Sequence, residues 1–250
     1  MPSADTLAPS DIDGLERAIV ASVAPERAVE VAGWLVPLDD GVIGRAKSAV
    51  PLSHAHGDPA AIADIEATYA EAGLPPAFRL ADVPGLADVE AELRRRGYAA
   101  HLATVMKLGT SAGLAALSDD PAELTERPDA AWVAAFTGAG FDPEEGASRV
   151  RNLSRSPGVA FAQVRQAGRT VAVGVGSFNG GWVGVHGMRT APDQRRQGHA
   201  SRILAAIGRE AQARGMDRAV LDVVEDNPAR SLYRAAGFAY AWRYRYWRRS

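Results

Sequence analysis

Cysteine is absent from the 250-residue chain. Its absence excludes disulfides, thiolate metal sites and a cysteine nucleophile, and it leans towards a cytoplasmic protein, although exported chains can also lack it. No apolar run approaches the roughly 20 residues of a membrane span. The opening MPSADTLAPSDIDG has no basic segment followed by an apolar one, so no export signal is expected. Excess charge is missing too. The formal net charge is −2, which argues against a general nucleic-acid binder. The closing WRYRYWRRS is locally basic, and a solvated terminus is preferred there over a nucleic-acid patch. No Gly-Lys-Ser/Thr phosphate loop is present, and no set of metal-and-phosphate carboxylates accompanies a glycine loop, so a nucleotide-dependent kinase or ligase is disfavoured.

With 47% hydrophobic and 23% charged residues, the chain has the balance of a globular protein large enough to fold without staples. Its length suits one large domain or two ordinary ones. In the first half, DIDGLERAIVASVAPE reads as a helix, with Leu15, Ile19, Val20 and Val23 at helical spacing. VEVAGWLVPL and VIGRAKSAVPL read as strands around a turn at DDG. Two further helices are expected, DPAAIADIEATYAEAG and GLADVEAELRRRG, with PPAFRLAD as a strand between them and YAAHLATVMKLG after them. Thr110 to Pro128, rich in Ser, Gly, Asp and Pro, reads as a junction. Two helices follow, then three antiparallel strands turning at QAGR and NGG. A helix, the buried strand DRAVLDVVE, the helix NPARSLYRAAG and the closing strand FAYAWRYRYW complete the second half.

The halves echo one another. AGLPPAFRLAD parallels RGMDRAVLDVV, and DVEAELRRRGYAAH parallels PARSLYRAAGFAYA at nearly the same offset. Two matches at one offset suggest a repeated fold, although helix, glycine, aromatic, strand is also common punctuation.

Between a strand and a helix stands APDQRRQGHAS, residues 191–201. The first turn of a helix has amides without intrahelical partners, and the helix dipole adds partial positive charge there. An anion such as a phosphate suits that position. Gly198 lets the backbone approach a bulky anion, and Ala200 and Ser201 leave the helix mouth uncrowded. Arg195 and Arg196 add attraction. A plain helix start with surface arginines is the alternative.

Arg195-x-x-Gly198-x-Ala200 resembles the pyrophosphate loop of the GNAT N-acetyltransferase superfamily, Gln/Arg-x-x-Gly-x-Gly/Ala. EDNPARSLYRAAGF resembles that family's asparagine-to-tyrosine helix. The motifs stand in the family's order, and the resemblance covers Leu124 to Arg248. The first half has PLSHAHGDPAA where the loop should stand, so it reads as a degenerate copy without bound coenzyme. The resemblance implies an α/β (α+β) fold: two GNAT-like domains, each a mostly antiparallel mixed sheet flanked by helices with a central strand–helix–strand crossover. The expected bounds are 1–110 for the degenerate domain, 111–126 for a linker and 127–250 for the acetyltransferase domain.

The resemblance also implies acetyl-CoA as acetyl donor and co-substrate, and direct transfer to an amine of a small molecule or peptide. Met188, Arg189 and Thr190 would offer backbone groups to the coenzyme. Arg195, Arg196, Gln197, Gly198, His199, Ala200 and Ser201 would form its loop. Asn227 is a helix cap, alone or with a contact to the coenzyme arm. Tyr233 matches the tyrosine that protonates the leaving thiolate; otherwise it packs with Leu232. A phenol near pKa ~10 can donate to a thiolate whose acid is near ~8.5. The base is His186 or Glu225, or a water chain; each of the two side chains also has an ordinary structural reading. Strict alternation would put His186 on one face with Met188 and Thr190. Neither a metal nor a membrane or nucleic-acid partner is expected, and an oligomer is compatible. A non-catalytic acyl-CoA-binding or sensing protein with the same fold is the rival reading.

Overall fold

The computed structural model describes residues 7–138, 140, 142–225 and 229–249. Its elements run α1 (Pro9–Ala21), β1 (Arg27–Val31), β2 (Trp34–Leu38), β3 (Val50–Pro51), α2 (Ala61–Glu71), β4 (Ala77–Ala81), α3 (Ala87–Arg95) and β5 (Ala99–Thr110). They continue α4 (Ser111–Ala115), β6 (Glu123–Thr125), α5 (Ala130–Phe136), α6 (Pro143–Arg155), β7 (Val159–Gln166), β8 (Arg169–Asn179) and β9 (Trp182–Thr190). The last are α7 (His199–Ala213), β10 (Arg218–Val224), α8 (Arg230–Ala235) and β11 (Ala239–Arg248). Contacts divide them into two compact units. The first comprises residues 7–106, 222–225 and 240–249, and the second 107–221 and 229–239.

In the first unit, β1, β2 and β3 form a small antiparallel sheet. Its tight turn is not at DDG. It lies at Ala32–Gly33, both with positive φ (47° and 79°), as a two-residue hairpin of primed type demands. Alanine resists that conformation, so the dipeptide gives a weak sequence signal. At DDG, Asp39 instead accepts hydrogen bonds from the Gly41 and Glu26 amides, and a short 3-10 turn, Gly44–Ala46, follows. α1 buries Leu15 and Ile19, and its Val20 clusters with Leu35, Val50 and Leu52. After β3 the chain crosses over through α2 and returns parallel, with Ala49 bridged to Phe78. β4 then pairs antiparallel with β11, and β11 lies between β4 and β5. The end of the chain therefore completes the sheet of the first unit.

The second unit is built on β6, β7, β8 and β9, antiparallel in sequence order, with β10 added parallel to β9. Residues 111–126 hold α4 and β6. Asp129 and Asp142 cap α5 and α6 by accepting from the amides of Trp132 and Glu145, which satisfies donors that a helix start leaves open. On one face of the sheet, Trp132, Phe136 and Leu153 pack on Phe161, Val173 and Val175. On the other lies α7, whose Ile203 and Ile207 enter where Gly174 and Gly176 have no side chains. A Cβ at either glycine would come within 2.9 Å of an isoleucine methyl. Gly208 lets α7 press equally closely on α4, since a Cβ there would stand 2.4 Å from the Ala115 nitrogen. These close approaches fix the helix that carries the donor-rich loop.

Each unit thus contains a strand, a loop, a helix and a parallel strand. Gly73 and Gly215 end the two crossover helices with φ of 67° and 69°, and Gly97 and Gly237 end α3 and α8 with 85° and 76°. Left-handed glycines after helices are the usual stop; finding both pairs at matching points gives the repeat a structural basis. Among the described residues, no helix is long and apolar enough to cross a membrane.

Candidate active site

The second unit brings the loop to the end of β9. The Ala191 amide donates to the Val171 carbonyl (2.9 Å), and a 3-10 turn, Pro192–Gln194, closes with the Gln194 amide on Ala191 (2.9 Å). Arg169 grips the Asp193 carboxylate at 2.7 Å and so ties this turn to the β7–β8 hairpin. Arg195 is extended. Arg196 takes φ of 62° and Gly198 φ of 80°. A left-handed residue other than glycine costs about 1–2 kcal/mol, so the loop holds strain at Arg196.

Gly198 occupies the N-cap of α7, and no side chain caps that helix. The amides of His199, Ala200 and Ser201 precede the first intrahelical bond, from the Arg202 amide to the Gly198 carbonyl (3.1 Å). A Cβ built on Gly198 meets nothing within 4 Å. Arg195, Arg196, Gln197 and Gly198 are exposed. His199 is 5% exposed, and neither ring nitrogen has a hydrogen-bond partner. Burial, with the Arg202 charge adding to it, holds its pKa below the ordinary histidine value. Two cavities flank the loop. One, of about 640 Å³, lies between α5 and Pro192–Asp193; the other, of about 410 Å³, is lined by Gln166, Arg169, Gln194 and Gln197.

The register of β9 departs from simple alternation. His186 lies opposite Val175 and Arg189 opposite Val173, with an irregularity between them. Gly187 takes φ of 58° there, and the extra residue of a bulge shifts the faces. His186 and Arg189 consequently share the face of Val173 and Val175, under α5. Met188 turns to the other face, where it meets Gly174 beside Ile203 of α7. The expectation that His186 shares a face with Met188 is corrected by this bulge. His186 is 7% exposed, and its Nε2 shares a 2.9 Å hydrogen bond with Ser177 Oγ. Arg189 stacks on Phe136, with its guanidinium carbon 3.8 Å from the ring centroid. Burial, then the neighbouring Arg149, push its pKa down, while Glu145 opposes them. The β9–β10 ladder pairs Trp182–Gly184 with Arg218–Val220, and β9 runs on to Thr190.

Tyr233 sits on α8 in the same unit, 8% exposed and edge-on to Phe238. Gly109 and Gly113 seat this helix. A Cβ on the first would touch the Phe238 ring, and on the second would lie 2.3 Å from the Ala236 carbonyl oxygen. Glu225 belongs to the first unit. Its amide donates to the Ala103 carbonyl (3.4 Å), and its carboxylate lies 3.8 Å from Arg243. Asn227 lies outside the described residues. Among the described residues, no group of three or more His, Asp or Glu could hold a metal ion.

Sequence reasoning missed Ser177, and the signal was available. The NGG turn pairs Asn179 with Trp182, and counting back along the hairpin sets Ser177 opposite Gly184, diagonal to His186. It also missed a buried cluster in the first unit, for which no motif exists. Arg79 and Glu16, each 1% exposed, are joined at 2.6 Å. His54 lies beside Glu16 at 3.5 Å and edge-on to Trp242. Burial alone would raise the Glu16 carboxyl, but the Arg79 charge and then His54 outweigh it and hold its pKa below the ordinary value.

Solved structures share this architecture. A GCN5-related N-acetyltransferase from Kribbella flavida superposes with a TM-score of 0.72 at 19% identity, over 97% of this chain and 96% of that one. A conserved protein of unknown function from Staphylococcus epidermidis gives 0.65 at 12%, over 88% and 91%. A tandem GNAT protein from the clavulanic acid biosynthesis pathway gives 0.60 at 13%, over 96% of each chain. No curated protein matches the chain. The fold is therefore that of two GNAT-like domains. Residues 9–247 match the family described as probable histone acetyltransferase Rv0428c C-terminal, and the chain belongs to that family.

Proposed function

We propose that the chain is an acetyl-CoA-dependent N-acetyltransferase whose chemistry resides in the second GNAT-like domain, the first being a degenerate copy. The observation that carries this reading is the uncapped start of α7 behind a left-handed Gly198, with open space where a side chain on Gly198 would stand. Amides at a helix start that no side chain caps suit a diphosphate. The amides of His199, Ala200 and Ser201 would hold it, with Arg195, Arg196 and Gln197 around it. β9 runs past its ladder with β10, so Met188, Arg189 and Thr190 have backbone groups to offer the rest of the coenzyme. Asn227 would add a contact to the coenzyme arm.

The coenzyme supplies a thioester. The amine nitrogen bonds to the carbonyl carbon as the carbon–sulfur bond breaks. A backbone amide of β9 would stabilise the oxygen on which charge grows. Tyr233 gives its hydroxyl proton to the departing sulfur. The proton of the amine passes to His186, held by Ser177. A cysteine-free chain suits the cytoplasm, where acetyl-CoA is available.

Tyr233→Phe tests the assignment. Turnover, followed by thiol release with a panel of amines, should fall by about 10²–10⁴, while coenzyme A affinity by calorimetry stays unchanged. Undiminished turnover would remove Tyr233 from the chemistry. Failure of the wild type to turn over any amine, despite tight coenzyme binding, would favour a sensing protein.

A further inference from the structure

The cavity of about 410 Å³ beside the loop is walled by side-chain amides more than by charge. Its size falls within the roughly 300–1,000 Å³ of small-ligand sites. Two segments of the second unit build it. Gln166, Arg169 and Val171 belong to the β7–β8 hairpin, and Gln194 and Gln197 to the loop before α7. Ala167 and Gly168 turn the hairpin with φ of 49° and 77°, and this makes Gln166 and Arg169 cross-strand partners. Directly opposed residues project from one face, and Val171, two residues beyond Arg169, joins them there. Val171 is 2% exposed, so it gives the cavity an apolar floor.

Arg169 is the one cation among the lining residues, and it is already paired. Its Nη2 donates to both oxygens of Asp193, at 2.7 and 2.8 Å. Gln166 and Gln197 are exposed, and neither side-chain amide has a hydrogen-bond partner among the described residues. A carboxamide sets an acceptor beside N–H donors. Its complement is a group with a donor beside an acceptor, as on the edge of adenine, where the exocyclic amine adjoins a ring nitrogen. A guanidinium plane such as that of Arg169, held in place by Asp193, is a surface on which a base stacks. A phosphate suits the cavity poorly, because its cation is taken and the amide oxygens repel an anion.

We propose that this cavity receives the adenine of the coenzyme, with the amides of Gln166 and Gln197 bonding its edge and Arg169 against its face. This rests on the reading of the chain as a coenzyme-A-dependent enzyme and adds to it how the far end of the donor is recognised. Continuity favours it. Gln197 directly precedes Gly198, so one loop reaches from the amides of the helix start into the cavity, and a single ribose joins the base to the diphosphate. The walls are also joined to each other without a ligand, by Arg169 on Asp193 and by the Ala191 amide on the Val171 carbonyl (2.9 Å).

The test is calorimetry on the full chain with coenzyme A and with etheno-coenzyme A, whose adenine carries a bridge across the exocyclic amine and its neighbouring ring nitrogen. Coenzyme A should bind at least about fivefold more tightly, the lower end for a bidentate amide–adenine pair. Gln166→Leu, on an exposed residue outside the loop, should bring the ratio towards one, with etheno-coenzyme A affinity and Tm unchanged. Gln197→Leu should do the same. Removing the 3′-phosphate from both ligands should leave the wild-type ratio as it is. Equal affinities of the wild type for the two coenzymes would overturn the proposal and leave the diphosphate site standing. A ratio that persists in both variants would overturn it too. If Gln166→Leu weakens both coenzymes alike and spares their dephospho forms, the cavity holds the 3′-phosphate and the adenine assignment falls. Binding of neither coenzyme would remove the acetyltransferase reading and this proposal with it.

Discussion

Replacing Gly198 by alanine separates a strained loop from a ligand cradle. The backbone there has φ of 80°, which costs an alanine about 1–2 kcal/mol. Steric cost adds nothing, because a Cβ at this position meets no atom within 4 Å. The unfolded chain also loses freedom when glycine becomes alanine, which returns about 0.4–1 kcal/mol. The net loss of stability should thus be about 1 kcal/mol, a fall in Tm of about 2–4 °C for a chain of this size. Coenzyme binding should suffer more. The new methyl enters the space where a diphosphate would meet the amides of His199 and Ala200. Each hydrogen bond to a charged group is worth about 1.5–3 kcal/mol, so losing one or two weakens coenzyme A by at least about tenfold. Pantetheine, which has no diphosphate, serves as the control and should bind wild type and variant alike. Calorimetric titrations at a temperature where both proteins are folded give the comparison. Coenzyme A binding to Gly198→Ala as tightly as to wild type would refute the cradle. Equal loss for pantetheine would show that the damage spreads beyond the diphosphate.

Two further predictions concern buried charge and pH. In the first unit, Arg79→Met leaves the buried Glu16 carboxylate with His54 alone beside it, and should cost about 3–5 kcal/mol in urea unfolding. Pairing it with Glu16→Leu should recover most of that loss, because the desolvated charge goes too; a double variant no more stable than the single one would contradict this. His199 has a folded pKa lowered by burial and by Arg202. As pH falls through the ordinary histidine value of ~6.5, the unfolded chain takes up a proton before the folded one does. Stability therefore declines from that pH down to the lowered folded value, and the decline stops below it. In His199→Leu the slope across this window should flatten. An unchanged slope would mean that His199 titrates alike in both states.

What could be read in the sequence divides by the range of the interaction that fixes it. The helices α5 and α6, the turns at QAGR and NGG, and the left-handed Gly73, Gly97, Gly215 and Gly237 rest on local rules of capping, hairpin twist and glycine freedom, and each had a visible residue signature. The left-handed Gly198 at the start of α7 was legible for the same reason, since a helix start is a local object. Two features were not. Alternation along WVGVHGMRT assigns His186 and Met188 to one face, and only the partner strand reveals the extra residue that separates them. A glycine in a strand allows a bulge without announcing one. Likewise FAYAWRYRYW reads correctly as a strand, yet nothing in its own residues says that it pairs with PPAFRLAD. That pairing is set by which sheet has an open edge once both halves have folded, a property of the assembled chain. The same distinction separates the start of α7 from the far face of β9. The amides of His199, Ala200 and Ser201 belong to one segment, whereas Phe136 and Arg189 reach one another only after a helix and a bulged strand have packed together.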